Sequence, residues 1–366
     1  MKTRRARLDA DWKNTALTQR LGIEFPIIQG PLGGFNAQRL TAEVSNFGGL
    51  GSFGVHGFAP AAITQLIAEI RALTQKPFAI NLWVSMEDDG ASNAGEAAFQ
   101  ASLSTILPQI TELGGSTPAY QPYAPLRFED QARAVLDANV PVFSFICGIP
   151  PREILDECRR RNIVTIGTAT TPDEAIALEQ AGTDIISASG SEAGGHRGSF
   201  LRPAAQSLIG TFSLVPQVAD AVSIPVVAAG GIADARGVVA AFALGADGVQ
   251  IGTAFLGTEE SGANAQHRAA LLNHQAGDTV LTKSLTGRLA RGVRNRLTET
   301  LDAPENAILP YPLQRALVKN LLSLAEKSNR VDLLQMWAGQ SANLTRHTSA
   351  TEFLRSLAAE ISAPGG

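Results

Sequence analysis

The sequence predicts an α/β protein: a (β/α)₈ TIM barrel followed by a smaller, mainly helical appended domain. Three observations carry this. Eight short apolar runs, rich in Val and Ile, alternate with helical segments between about residues 26 and 255. The last two runs, Ile224-Pro-Val-Val-Ala-Ala-Gly-Gly-Ile-Ala233 and Ala246-Asp-Gly-Val-Gln-Ile-Gly-Thr-Ala-Phe255, end in glycine and small residues. The first run is not followed by a dinucleotide fingerprint. In Gln29-Gly-Pro-Leu-Gly-Gly34 the proline stiffens the turn and removes an N–H, which disfavours an open doubly wound sheet.

The elements follow in order. Pro26 to Gln29 is a strand and Ala37 to Phe47 a helix; Gly48 to Gly54 is a second strand. Pro60 to Leu73 is an amphipathic helix with Ile63, Leu66, Ile67, Ile70 and Leu73 at helical spacing. Pro77 to Val84 is the third strand, with Asn81 near its end. The period then lapses. Residues 85–125 hold a helix from Ala97 to Leu113 between Gly, Ser and Pro-rich ends, too long for an ordinary loop and a candidate lid. Strands return at Val140 to Cys147, Ile163 to Thr168 and Asp184 to Ser189, with helices from Asp130, Pro151, Pro172 and around Leu208. Asp234 to Leu244 is the helix between the last two strands. From Glu259 onwards strand signals stop. Helices are expected at Ala263 to His274, Pro312 to Lys327, Val331 to Ala338 and Ala350 to Ile361. The division expected is a barrel over 1–258, an appended domain over 259–346, and a final helix within 347–366 that returns to the barrel wall.

Composition narrows the function classes. Hydrophobic residues make up 45% and charged residues 17%, enough apolar material for a large core and against disorder. A net charge of −4 gives no reason to expect nucleic acid or an anionic membrane as partner. Basic residues cluster at Lys2 to Arg7, read as a solvated tail, and at Arg288 to Arg296. No apolar run is long enough to span a bilayer. Cys147 and Cys158 make no metal-ligand pattern, and a reduced, cytoplasmic setting is expected. Composition does not speak to a homo-oligomer.

The chemistry concentrates at strand ends. Gly230-Gly231 and Gln250-Ile-Gly-Thr253 close consecutive strands beside a helix N-terminus, a place for a phosphate monoester; a sugar phosphate and flavin mononucleotide (FMN) both satisfy it. Strand six runs into Ile185-Ile-Ser-Ala-Ser-Gly-Ser-Glu-Ala-Gly-Gly-His-Arg-Gly198, which puts His196 on the catalytic face of a barrel. As a neutral imidazole it can accept a proton; as an imidazolium it can hold an anion. His56 sits in a more ordinary loop, and His267, His274 and His347 read as solvated. Glu192 reads as a loop-ordering acceptor, and Arg197 as either a substrate contact or a surface residue. No histidine–carboxylate spacing suggests a metal site.

Pro26-Ile-Ile-Gln-Gly-Pro31, Gly190-Ser-Glu-Ala-Gly-Gly-His-Arg197, Ala228-Ala-Gly-Gly-Ile232, Gly248-Val-Gln-Ile-Gly-Thr-Ala-Phe255 and Thr286-Gly-Arg-Leu-Ala-Arg-Gly-Val-Arg-Asn295 together resemble the nitronate monooxygenase family, formerly called 2-nitropropane dioxygenase. The resemblance runs from about Leu21 to Leu297. It implies an FMN-dependent barrel that oxidises alkyl nitronates, or nitroalkanes, with O₂. It carries the catalytic role to His196. It carries FMN contacts to Asn81, Ser189, Gly194, Gly231, Gln250, Ile251, Gly252 and Thr253, with Gly230 adjacent. Ser189 stands where many members have Gln. NADH:quinone reductases and flavin-dependent enoyl-acyl-carrier-protein reductases use the same barrel and are the alternative enzymes. A flavin-binding protein without turnover is the alternative from another class.

Overall fold

The structure is a computed structural model and describes residues 12–85, 88, 90–121, 126–303 and 306–363. The basic stretch Lys2 to Arg7 and parts of the 85–125 insertion lie outside the described residues.

The barrel region runs α1 (Ala16–Leu21), β1 (Ile27–Gln29), α2 (Gln38–Phe47), β2 (Gly51–Gly54), α3 (Pro60–Leu73), β3 (Phe78–Trp83), α4 (Glu96–Glu112), α5 (Phe128–Asp137) and β4 (Val142–Ile146). It continues with α6 (Arg152–Arg160), β5 (Val164–Ala169), α7 (Pro172–Ala181), β6 (Ile185–Ser189), the two-residue β7 (Gly195–His196), α8 (Thr211–Ala221), β8 (Val226–Ala229), α9 (Ala235–Ala243), β9 (Gly248–Ile251) and α10 (Thr253–Leu256). There follow α11 (Ala265–Leu272), β10 (Thr279–Thr282), β11 (Ala290–Val293), α12 (Arg296–Leu301), α13 (Leu313–Lys327) and α14 (Ala350–Ser362).

Eight parallel strands pair in the order β1-β9-β8-β6-β5-β4-β3-β2. A parallel bridge between Ile28 and Leu50 brings the two ends of that order together, so the sheet is a nearly closed barrel with helices between the strands. The strands are apolar runs because both faces are covered: every residue of β3 is buried, its outer side under helices and its inner side in the barrel. The helices are terminated by local chemistry. In α7, Thr171 caps the N-terminus by accepting from the Glu174 amide, Pro172 fits the first turn, and Gly182 ends the helix in the left-handed region. In α3 the buried face is Ile63, Leu66, Ile67 and Ile70; Leu73 is exposed.

Two expectations for the chain after Glu259 are corrected. Strands do occur there. β10 and β11 form an antiparallel hairpin, and β11 pairs in turn with β7, with Ala290 opposite His196 and Arg291 opposite Gly195. These strands have four residues each, and one of their partners is a loop about a hundred residues away, so no local period marks them. The helix expected over Val331 to Ala338 is only a 3₁₀ turn at Val331–Leu333. Met336 instead gives its carbonyl to the Val293 amide at 2.8 Å, and Trp337 bridges Gly292. Tertiary pairing with β11 outweighs helix propensity.

The helix α4 of the insertion lies on α13, where buried Ser102 donates to Gln314 Oε1 at 2.8 Å. The last helix, α14, packs on α2 and α9, with Phe353 edge-on to Phe255 at 5.0 Å.

Candidate active site

A cavity of about 740 Å³ opens at the carboxyl ends of the strands, a suitable size for a cofactor or drug-sized ligand. The barrel supplies its floor and one side. The loop after β1, the hairpin, α13 and residues 335–341 supply the rest. The appended segment therefore builds part of the wall.

His196 lines this cavity and is fixed from three sides. Its backbone belongs to β7 and is held against β11, with the next amide, Arg197 N, donating to Leu289 O at 2.9 Å. Its Nε2 lies 2.9 Å from Thr286 Oγ1, whose hydroxyl also reaches the Arg288 carbonyl at 3.2 Å. Its ring meets Trp83 at 4.7 Å and Trp337 at 5.1 Å, both edge-to-face. His196 is half-buried in this wall and borders the cavity. Burial, with the positive charges of Arg315 and Arg288 added, depresses its pKa to about 3. Of the two roles open to it on sequence grounds, the neutral imidazole is the form present near pH 7.

The barrel strand ends and the loop of His196 itself contain the other expected residues. Asn81, Ser189, Gly194, Gly230, Gly231, Gln250, Gly252 and Thr253 all border the cavity. Gly230 and Gly231 both have positive φ, 99° and 74°, a turn that favours glycine. Gly194 is pressed against the chain at Gly339, where a Cβ would lie 2.6 Å from the amide nitrogen. A Cβ on Gly252 would meet nothing within 4 Å, so that strand end faces open space. Asn81 Nδ2 donates to Ser144 Oγ at 3.0 Å. Thr253 Oγ1 accepts from the Gly339 amide at 2.9 Å, and Ser341 Oγ donates to the Gly231 carbonyl at 2.7 Å, so residues 339–341 brace both strand ends. Ile251 does not join them: its side chain is fully buried in the core and its carbonyl accepts from Gly30 N. The N-terminus of α9 is also taken, since the Asp234 carboxylate accepts from Arg236 N and Gly237 N. Any phosphate site is thus left to the strand-end backbone.

Other residues have roles that differ from their sequence reading. Arg197 is neither a substrate contact nor a surface residue. It is buried, and its guanidinium donates to the carbonyls of Gly190 and Ser189 at the end of β6. Glu192 orders its loop as expected, accepting from Thr211 N and Oγ1 at the start of α8. His267 is not solvated but buried, with Nε2 2.9 Å from the Trp337 carbonyl. His56 is part of the cavity wall and stacks on Trp83 at 4.1 Å and 13°. Trp83, Trp337, Tyr311 and Arg315 also went unmarked in the sequence. An aromatic at the end of β3 was the one signal that could have found Trp83.

Three histidines are therefore held neutral. Burial is the first cause in each case: His56 lies well below the usual range, His196 at about 3 and His267 at about 4. In the unfolded chain they titrate near about 6.5. Below that pH the unfolded chain binds protons that the native chain refuses, so their contribution to stability is full above about 6.5 and is lost as pH falls toward the folded values. The melting temperature should drop between about pH 7 and about pH 5, and His267→Gln should flatten that drop by up to about one proton's worth of slope. A variant with the wild-type slope would show that His267 is not a source of the acid sensitivity.

No helix among the described residues is long and apolar enough to cross a membrane, and no group of three or more His, Cys, Asp or Glu among them could hold a metal ion. A sequence profile of the nitronate monooxygenase family matches residues 14–360. The chain belongs to that family. It is 42% identical over 352 residues to a probable nitronate monooxygenase of Staphylococcus haemolyticus (strain JCSC1435), covering 96% of this chain and 98% of that one. It is also 42% identical to a probable nitronate monooxygenase of Staphylococcus aureus (strain Newman), covering 93% and 95%. Among solved structures it is similar to nitroalkane oxidase from Streptomyces ansochromogenes, with a TM-score of 0.85 and 35% identity over 95% of this chain and 98% of that one. FabK from Thermotoga maritima has the same fold, with a TM-score of 0.73 and 27% identity over 95% and 96%. Family membership makes the chain an oxidoreductase acting on a small molecule, and makes the cavity its candidate active site.

Proposed function

We propose that the protein binds FMN and oxidises alkyl nitronates with O₂ to carbonyl compounds and nitrite. The observation that carries this reading is a neutral, hydrogen-bonded His196 in an aromatic wall, sharing one cavity with glycine-lined strand ends. The site fits the cofactor in size and in shape, with a positive-φ glycine pair and an open strand end at Gly252. The backbone at Gly230, Gly231, Gly252 and Thr253 would hold the phosphate. Asn81, Ser189, Gly194 and Gln250 would line the remainder, with Ile251 contributing backbone alone. FMN, when bound, supplies a two-electron acceptor that O₂ can reoxidise.

The protein's own part is proton handling, positioning and charge. With the Thr286 hydroxyl donating to the Arg288 carbonyl, its oxygen is left to accept from His196 Nε2–H across the 2.9 Å contact, and we assign that tautomer. This tautomer leaves the lone pair on Nδ1. Against a neutral nitroalkane, Nδ1 takes the α-proton. The anion so formed stands beside the new imidazolium, and their attraction offsets what burial and the two arginines cost that charge. A preformed nitronate needs no such step. Trp83 and Trp337 pack edge-to-face on the ring and fix it.

The test is oxygen uptake by the FMN-loaded protein with the nitronate of nitroethane, run beside NADH oxidation with a quinone. Rapid uptake with the nitronate and slow NADH oxidation are expected. NADH oxidation without nitronate turnover would assign the protein to the reductase branch of the same fold. Bound FMN with neither activity would favour a flavin-binding role.

A further inference from the structure

One short segment, residues 337–341, contacts the two glycine-tipped strand ends and His196 together. Gly339 donates its amide to Thr253 Oγ1 at 2.9 Å, at the end of β9. A hydroxyl has one proton and two lone pairs, so Thr253 keeps its own proton for a ligand in the cavity that it lines. Ser341 donates its hydroxyl to the Gly231 carbonyl at 2.7 Å, just past the end of β8. That carbonyl is an acceptor, and left unmet it would oppose an anion at this strand end. Between the two, Gln340 donates its amide to the Glu192 carbonyl at 2.9 Å, in the loop that leads to His196. The approach is close enough to require glycine on both sides. A Cβ on Gly339 would stand 2.8 Å from Glu192 O, and one on Gly194 would stand 2.6 Å from Gly339 N. Two residues before Gly339, Trp337 is edge-on to the His196 ring at 5.1 Å, and its carbonyl lies 2.9 Å from His267 Nε2. The turn is also tied within itself, by Ala342 N to Gly339 O at 3.1 Å and Leu344 N to Ser341 O at 3.0 Å. Among the described residues that line the cavity, the only lysine and arginine are Lys319 and Arg315, both on α13. An anion at the strand ends therefore relies on neutral donors, whose orientation decides how well it is held.

We propose that residues 339–341 are a clasp that completes a phosphate-monoester site from outside the barrel, so that seating the phosphate and fixing the aromatic wall at His196 are one linked event. This rests on the FMN reading of the same cavity. Gly339 and Ser341 are positioning residues. The first aims the Thr253 hydroxyl, and the second takes the Gly231 carbonyl out of opposition to the anion. A ligand that binds the docked clasp better than the undocked one stabilises docking by that same difference in free energy. The phosphate end of the cofactor thereby holds Trp337 against His196, at the other end of the segment.

The test compares FMN with riboflavin, which lacks the phosphate, on the full chain stripped of flavin, as wild type, Ser341→Ala and Ser341→Thr. Affinity is read from flavin fluorescence, and docking from backbone hydrogen exchange of residues 335–341. Wild type should bind FMN more tightly than riboflavin, and FMN should slow exchange in that segment more than riboflavin does. Ser341→Ala should lower FMN affinity by about 5–100-fold, the cost of an unmet acceptor beside an anion, and leave riboflavin affinity nearly unchanged. Ser341→Thr keeps the hydroxyl and should recover most of the loss. An equal loss for both flavins in Ser341→Ala would make Ser341 a contact of the fold alone and overturn the clasp. Exchange slowed equally by FMN and riboflavin would overturn it as well, by separating docking from the phosphate. If wild type binds neither flavin, the FMN reading fails, and the clasp is decided with inorganic phosphate. Slower exchange at residues 335–341 in wild type that is lost in Ser341→Ala supports it; no slowing in wild type rejects it.

Discussion

Gly231→Asp is expected to give a folded protein that does not retain flavin. Gly231 has φ of 74°, a conformation that aspartate tolerates better than most residues. A Cβ there would meet only Glu192 carbons at 3.5 Å and beyond, so the side chain has room and the fold should persist. The new carboxylate would add a negative charge at one of the strand ends where the phosphate is proposed to sit. Two like charges about 4 Å apart repel by about 1–4 kcal/mol at dielectrics between water and a protein surface, so flavin retention should fall by about fivefold to several hundredfold. Gly231→Ala is the control: it carries a similar backbone cost without the charge and should retain more FMN. Flavin content per folded chain is the measurement. Full FMN occupancy in a folded Gly231→Asp protein would place the phosphate elsewhere.

His196→Asn should slow oxidation of neutral nitroalkanes by about 10²–10⁴-fold, the usual range for a lost general base. Preformed nitronates bypass proton removal and should lose much less. FMN content should stay near wild type, because the proposed phosphate site is on β8 and β9 and His196 is on β7. The depressed pKa adds a pH signature. A histidine at about 3 does not titrate between about pH 5 and pH 8, so the wild-type KM for nitronates should show no inflection near the ordinary histidine value of about 6.5. Equal rates for variant and wild type on both substrate forms would reduce His196 to a loop residue. An inflection near 6.5 that vanishes in His196→Asn would show that the imidazolium form is the one at work.

The barrel was legible in the sequence because its signals are local. Glycine, proline and apolar periods mark every barrel strand and most helices, and α3 spans the same residues, Pro60–Leu73, in both. His196 was legible for a related reason: a strand end followed by a glycine-rich loop is a sequence feature with a known place in a barrel. The part of the cavity built by the chain after residue 258 was not. The hairpin reads as a basic loop until Arg291 is found donating to the Ser191 carbonyl, which ties it to the His196 loop. Trp337 lies in an apolar stretch that reads as helix, and nothing in the chain brings it near His196. Arg315 sits in a helix of ordinary composition, and only the fold brings that helix to the cavity. Arg197 shows the converse: it is next to the expected catalytic residue, yet its side chain turns inward to the backbone carbonyls of β6 and its end.

The most direct measurement mixes FMN-loaded protein with the nitronate of nitroethane in the absence of oxygen and follows the visible absorbance of the flavin. The band should bleach within the time of a turnover and return when O₂ is admitted, with nitrite and acetaldehyde recovered in solution. Under the same conditions NADH should leave the band nearly unchanged. A band that persists with the nitronate and bleaches with NADH would contradict nitronate oxidation as the work of this site.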